Sequence, residues 1–436
     1  MTKAILVAAP RSGAGKTTVT LGLLAAFRQR GLRVVAAKAG PDYIDPAFHE
    51  AATGAPCCNL DSWAMPPKLL DSIFSAACQG ADLLIIEAAM GLFDGVVAAP
   101  GRTGRAADLA SRYGLPVVLV LDVTGQSQSA AAVARGFAQF DPDVVVAGVV
   151  LNRVGSERHR QAVATALAAA GIAVFGALPR DAGFSLPERH LGLVQAAEQT
   201  ARLPAHLAYL ADSVAQRLDL DALWTAAKTM EPRALGVCAL RPLGQIIAVA
   251  KDVAFSFCYP HILLGWQAAG AQIRFFSPLA NEAPPDDADA CWLPGGYPEL
   301  HGETLSAADH FLAGMRRFAT TRPVHGECGG YMVLGRMIED AAGRAHPMLG
   351  LLDHATSFAR PRLHLGYREA LLMEDGVFGK TNSCLRGHEF HYASVIDAGT
   401  DSPFASLRDA AGVALGLAGG QRGRVSGSFF HLMAQI

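Results

Sequence analysis

The sequence predicts two α/β domains in tandem, the first a doubly wound, mainly parallel sheet carrying a phosphate loop. Three observations lead there. Through the first half of the chain, short apolar runs alternate with helix-like stretches, the pattern of repeated strand–helix–strand units. The 436 residues exceed one ordinary domain of about 150. Hydrophobic residues make up 51% and charged residues 17%, below the roughly 25% usual in globular proteins, which suits parallel strands covered on both faces.

Strands are expected at residues 4–9, 33–38, 82–87, 116–122 and 144–151, each rich in Val, Ile or Leu and ending at a polar residue or Gly. Helices are expected between them at 16–30, 105–113, 129–137 and 157–170, with a closing helix or helix pair over 203–228. Ligands of such a sheet sit at the carboxyl ends of its strands. Pro232, Gly236, Pro242 and Gly244 interrupt the periodicity, so the first domain is placed at 1–232, a linker at 233–244 and the second domain at 245–436. There a second α/β pattern begins at 246–250, continues through 259–270 and gives a further strand at 290–293. From about residue 348, short Gly-rich runs predict an antiparallel or mixed region.

Net charge is −2, which argues against a nucleic-acid surface. The eight cysteines are scattered without zinc-site spacing, as expected of reduced thiols. No apolar run approaches the ~18 residues of a membrane span. Removing residues 4–9 as a signal peptide would strip the phosphate loop of its strand, so a soluble cytoplasmic protein is expected.

The run Pro10-Arg11-Ser12-Gly13-Ala14-Gly15-Lys16-Thr17-Thr18 joins a strand to a helix. Backbone N–H groups of such a loop cradle phosphates, Lys16 neutralises them and Thr17 ligates Mg²⁺. Pro10 stands where the motif usually has its first Gly. Lys38 ends the second strand and opens Gly40-Pro41-Asp42-Tyr43-Ile44-Asp45. Glu87 ends the third, followed by Met90-Gly91-Leu92-Phe93-Asp94-Gly95. Singly, Asp42, Asp45 and Asp94 would pass for solvated loop acids. Clustered at strand ends beside a phosphate loop, they read as groups around nucleotide, metal and substrate.

In the second domain, Pro323-Val324-His325-Gly326-Glu327-Cys328-Gly329-Gly330 reads as strand, sharp turn and helix, a nucleophile elbow with cysteine in place of serine. The helix N-terminus is expected to lower the thiol pKa. Gly295 and Gly296, in Leu293-Pro294-Gly295-Gly296-Tyr297-Pro298-Glu299, offer backbone N–H groups suited to an oxyanion hole.

Taken with Asn59-Leu60-Asp61-Ser62, these N-terminal motifs resemble the corrinoid (cobyrinic or hydrogenobyrinic acid) a,c-diamide synthases of cobalamin biosynthesis, whose synthetase domain is related to dethiobiotin synthetase. The elbow resembles class I glutamine amidotransferases. The resemblance covers essentially the whole chain. It implies that Gly13, Gly15, Lys16, Thr17, Thr18 and Lys38 serve ATP, with Asn152 near the adenine. It further implies Thr17, Asp45, Glu87 and Asp94 around Mg²⁺, and Asp42, Tyr43, Asn59 and Asp61 towards the substrate. His431, after Ser426-Gly427-Ser428-Phe429-Phe430, would be the partner of Cys328. The usual triad Glu two residues beyond the histidine is Met433 here, as in the corrinoid and cobyric-acid branch, which leaves the group orienting His431 open. Gly387-His388-Glu389-Phe390-His391-Tyr392 also resembles that branch.

The implied reaction consumes ATP and L-glutamine to amidate the a and c acetate side chains of a corrinoid tetrapyrrole through an acyl phosphate. The form of the loop leans towards metal-free hydrogenobyrinic acid, with cobyrinic acid and nickel-sirohydrochlorin as the other tetrapyrroles. A ParA/MinD-like ATPase switch carrying an inactive glutaminase-like module is the reading from another class. A homodimer is compatible with any of these.

Overall fold

The computed structural model describes residues 1–184, 202–231 and 236–436, so residues 233–235 of the expected linker lie outside it. The chain forms two compact units, Met1–Trp63 with Pro67–Leu235, and Gly236–Ile436 with Ala64–Pro66.

The first unit runs β1 (Thr2–Ala8), α1 (Lys16–Gln29), β2 (Val34–Ala39), α2 (Asp45–Thr53), β3 (Cys58–Leu60), α3 (Pro67–Cys78), β4 (Leu83–Ala88), α4 (Ala106–Tyr113), β5 (Val117–Asp122), α5 (Ser129–Phe140), β6 (Val146–Val154), α6 (Glu157–Ala169), β7 (Val174–Pro179), α7 (Leu203–Arg217), α8 (Leu220–Ala226) and β8 (Lys228–Met230). Seven strands pair in parallel in the order β3-β2-β4-β1-β5-β6-β7, with β8 antiparallel on the start of β1. Strand β1 therefore lies at the sheet's centre, where the chain winds first to one side and then to the other, and its carboxyl end opens on the crevice at that switch point. Ile5, Val7, Val19, Leu23, Ile85, Val118 and Leu210 share one core, fully or almost fully buried. Burying each such side chain is worth about 1.5–3 kcal/mol.

All five expected strands form, within one to three residues of their predicted ends. Strands β3, β7 and β8 escaped the periodicity, and β3 and β8 have only three residues each, too few for a period of two to emerge. Helix α2 begins at Asp45-Pro46 and stops at Gly54, whose φ of 74° ends it in the left-handed region. Lys228, expected to close the last helix, instead starts β8.

The second unit runs β9 (Ile246–Ala250), α9 (Pro260–Ala268), β10 (Gln272–Phe276), β11 (Ala290–Leu293), α10 (Gly302–Ser306), α11 (Asp309–Ala319), β12 (Val324–Glu327) and α12 (Gly329–Leu334). Eleven strands follow: β13 (Met337–Glu339), β14 (Ala345–Pro347), β15 (Ala355–Ser357), β16 (His364–Leu372), β17 (Cys384–His391), β18 (Ser394–Asp397), β19 (Ala405–Asp409), β20 (Ala414–Ala418), β21 (Gly420–Arg422), β22 (Val425–Ser428) and β23 (Phe430–Gln435). The main sheet has the order β10-β9-β11-β12-β22-β21, parallel except for β21. An antiparallel five-stranded sheet, β20-β19-β16-β17-β23, and a mixed four-stranded one, β14-β13-β15-β18, complete the unit. The mixed region thus starts at Met337, earlier than its Gly content suggested, and the chain returns to the parallel sheet at β22. That return sets β22 beside β12 in register, Glu327 opposite Ser428, and so carries residues 429–431 past the elbow.

Candidate active sites

At the carboxyl end of β1, the phosphate loop turns through Gly13 and Gly15, with φ of 74° and 92°, into α1. Gly15 is required there twice over, because a side chain would need the left-handed conformation and would collide with the amide of Asn152. That amide donates from Nδ2 to the Ala14 carbonyl at 2.9 Å. Asn152, expected near adenine, therefore braces the loop from β6. The Thr18 hydroxyl donates to the Phe184 carbonyl at 3.1 Å, tying α1 to the chain beyond β7.

The strand-end acids converge. Lys38 Nζ lies 2.5 Å from Asp45 Oδ2, 2.9 Å from Glu87 Oε1 and 3.4 Å from Asp42 Oδ2, and both Lys38 and Glu87 are almost wholly buried. The Thr17 hydroxyl lies 3.1 Å from Asp45 Oδ2 and 2.8 Å from Glu87 Oε1. Burial alone would strip charge from each group. For Lys38 the carboxylates of Asp45, Glu87 and Asp42 outweigh it and hold the ammonium pKa well above its usual value. Burial acts against Glu87 too, yet Lys38 and His49 keep it ionised. Asp45 is pushed up to about 6, first by burial and then by Asp42. Lys16 is pulled down by burial, against the attraction of Glu87, Asp45 and Asp94.

Of the other expected residues, Asp94 accepts from the Gly91 N–H at 3.1 Å. Asn59 donates to the Gly40 and Asp42 carbonyls at 2.8 and 2.5 Å, shaping the 40–45 loop. Asp61 is fully buried and caps Trp63 N–H at 2.9 Å, and Tyr43 is buried. These placements hold the loop in shape. Sequence reasoning missed His49, whose Nε2 lies 2.7 Å from Glu87 Oε2 and whose Nδ1 lies 3.5 Å from Cys57 Sγ. Its signal was its place four residues beyond Asp45, one turn along α2.

Two carboxylates and a hydroxyl make a hard oxygen donor set, which fits Mg²⁺ better than a soft metal. Among the described residues no cluster of three or more His, Cys, Asp or Glu side chains forms a ready cation cage. The remaining ligands of such an ion would be water and phosphate oxygens, the usual arrangement for Mg²⁺.

In the second unit, Cys328 lies between β12 and α12 with φ 48° and ψ −106°, the strained backbone of an elbow. Its N–H donates to the Ser428 carbonyl at 2.8 Å. Gly295 lies between Cys328 and His431: a Cβ there would come within 2.5 Å of His431 Cε1 and 3.3 Å of Cys328 Cβ. The three expected elements (elbow, Gly-Gly loop and histidine) therefore meet. His431 lies on β23 opposite His388 of β17.

Helix α12 has six residues, and its terminus does not prevail over desolvation. Burial raises the Cys328 thiol pKa, Glu299 raises it further, and the Gly329 N–H pulls only partly the other way. The expected lowering is thus reversed, and burial favours the neutral thiol of Cys328. Burial likewise pulls His431 well down. Sequence reasoning also missed Glu327, immediately before Cys328. Its Oε2 lies 3.7 Å from His431 Nδ1, and its Oε1 accepts from the Leu432 N–H at 3.1 Å. It sits on the strand before the elbow, whereas the motif directs attention to the strand after the histidine.

Residues 5–194 match the CobQ/CobB/MinD/ParA nucleotide binding domain, and residues 246–435 match the CobB/CobQ-like glutamine amidotransferase domain. Among the described residues no helix is long and apolar enough to cross a membrane. The chain is 59% identical over 434 residues to a hydrogenobyrinate a,c-diamide synthase of Mesorhizobium japonicum, covering 99% of each. Proteins of the same name from Agrobacterium fabrum and Rhodobacter capsulatus are 56% and 54% identical over the same length, again covering 99% of each chain. With more than half of its residues identical along nearly the whole of both chains, this chain belongs to the hydrogenobyrinate a,c-diamide synthase family.

Proposed function

We propose that this protein uses glutamine and ATP to convert the a and c acetate carboxylates of hydrogenobyrinic acid into amides. The observation that carries the reading is its 59% identity, end to end, with a relative named for that reaction. The assignment to domains is 1–232 for ATP-dependent activation, 233–244 as linker and 245–436 for ammonia release. A cytoplasmic location and a homodimer complete the proposal, the latter open to measurement by light scattering.

In the glutaminase step, His431 takes the proton of Cys328 as the sulfur attacks the glutamine side-chain carbonyl. Glu327, 3.7 Å away, orients the ring. Backbone N–H groups of Gly295 and Gly296 receive the developing oxyanion. His431 returns the proton to the departing ammonia, and water then releases glutamate.

In the synthetase step, the Gly13–Gly15 backbone and Lys16 hold the ATP phosphates. Thr17, Asp45 and Glu87 would hold Mg²⁺, with Asp94 close by, and the ion would neutralise phosphate charge during transfer. Lys38 keeps Glu87 ionised and holds Asp45 in place, so a substrate carboxylate can attack the terminal phosphoryl group. The acyl phosphate gives ammonia a good leaving group to displace. Asp42, Tyr43, Asn59 and Asp61 shape the substrate side. Incubating the protein with hydrogenobyrinic acid, glutamine and Mg·ATP should give two successive carboxyl-to-amide conversions by mass. Absence of product with this acid, and product with cobyrinic acid or nickel-sirohydrochlorin, would overturn the substrate assignment.

A further inference from the structure

Glu299 has no part in the chemistry described above, yet it lies beside the nucleophile with an unsatisfied oxygen. It follows the Gly295–Gly296 loop in the turn Pro298–His301. That turn packs on the elbow: a Cβ at Gly329 would lie 2.7 Å from Pro298 Cδ and 3.0 Å from Gly296 N. The residue is only 9% exposed, and its Oε2 has no hydrogen-bond partner among the described residues. A buried carboxylate oxygen without a partner costs about 1–3 kcal/mol, more when ionised, so it marks a position completed by something else.

Resting on the glutaminase reading of Cys328, we propose that Glu299 is the subsite for the α-ammonium group of glutamine. The chemistry selects that group. Free glutamine is a zwitterion, and its ammonium supplies three N–H donors and the opposite charge. The glutamine side-chain amide must reach Cys328, which leaves the amino-acid end to be held nearby. Among charged groups Glu299 has the largest influence on the Cys328 thiol, so the two are electrostatic neighbours. Glu299 also accepts from its own backbone N–H, and burial pushes its pKa up to about 8. An arriving ammonium would favour the ionised carboxylate and give its Oε2 the partner it lacks.

The test compares glutamine with glutaramic acid, which keeps the side-chain amide and lacks the amino group. Glutamate or glutarate formation is read with ammonia release as the common signal. In the unaltered protein, kcat/KM for glutaramate should be lower by about 30-fold or more, the usual scale for losing one partner of a buried charge pair. In Glu299→Gln, glutamine should lose about that much, mostly in KM, and its advantage over glutaramate should collapse. Glu299→Asp should restore part of the preference. A merely structural role would lower both substrates together and leave their ratio intact, overturning the proposal. So would an unaltered protein that uses glutaramate as well as glutamine, a result needing no variant. If the unaltered protein released no ammonia from glutamine, the failure would belong to the glutaminase reading instead.

Discussion

Both units place a site at the carboxyl ends of parallel strands, and they treat charge in opposite ways. In the first, a buried lysine faces three carboxylates within 2.5–3.4 Å. In the second, the thiol, the imidazole of His431 and the carboxyls of Glu327 and Glu299 are all driven towards their neutral forms by burial. On the proposed function, the contrast follows from what each site would receive. A magnesium–nucleotide complex brings high charge, and a site built from fixed opposite charges meets it without reorganisation. A glutaminase that held a standing thiolate would be open to oxidation and idle chemistry. Burial favours the neutral forms of both Cys328 and His431. Preorganised charge and conditional charge are thus two solutions on one sheet architecture.

The largest expected effect separates the two sites. Cys328→Ala removes the covalent route, so glutamine-dependent amidation should fall on the order of 10⁴-fold or more. Ammonium chloride at alkaline pH should restore diamide formation with ATP use intact. Product formation from glutamine in this variant would sink the nucleophile assignment, and failure of ammonia in a folded variant would deny the chemical independence of the sites.

Next comes the charge web. Lys38→Met leaves three carboxylates facing one another, and breaking such a buried pair costs about 3–5 kcal/mol. Amidation should vanish, while glutaminase activity of material that stays folded should persist. Unchanged thermal stability in Lys38→Met would mean that the web is solvated and not preorganised.

Glu327→Gln probes conditional charge. The amide can still pair with the backbone but removes the acidic group facing His431 Nδ1, so glutaminase kcat should fall by about 100-fold. Its pH profile should move as well, which a packing defect would not cause. Equal profiles for the variant and the unaltered protein would return His431 to having no orienting acid.

A further comparison is acid tolerance. His261, His325, His354 and His391 in the second unit are pulled down to about 4, 3, 4 and 3, in each case chiefly by burial. Between pH 6.5 and 4 the unfolded chain binds protons that the folded unit refuses, so stability falls on acidification, on the order of 1.4 kcal/mol per pH unit for each histidine. Glu299, with its raised pKa, works the other way: it costs stability as pH rises from its unfolded value towards about 8. Peptide-resolved hydrogen exchange at pH 7 and 5.5, corrected for intrinsic rates, should show loss concentrated in residues 246–436. Equal loss in both units would refute the assignment of neutral buried histidines.

Much of the fold was legible because its signals are local. The apolar runs of β1 and β4 are complete strands of a doubly covered sheet, and Gly15 is a left-handed turn that starts α1, a conformation that favours glycine. Cys328 was legible for the same reason: the glycines around it announce a sharp turn. What escaped depended on distance along the chain. His49 meets Glu87 38 residues away, and Glu327 meets His431 across 104 positions because β22 returns to the sheet beside β12. The thiol's protonation was also beyond local reading, since a helix N-terminus can be seen in sequence and desolvation cannot. Sequence by itself determined which groups were present and the turns that present them. Only the tertiary structure decided which of them are buried, and burial sets both their partners and their charge.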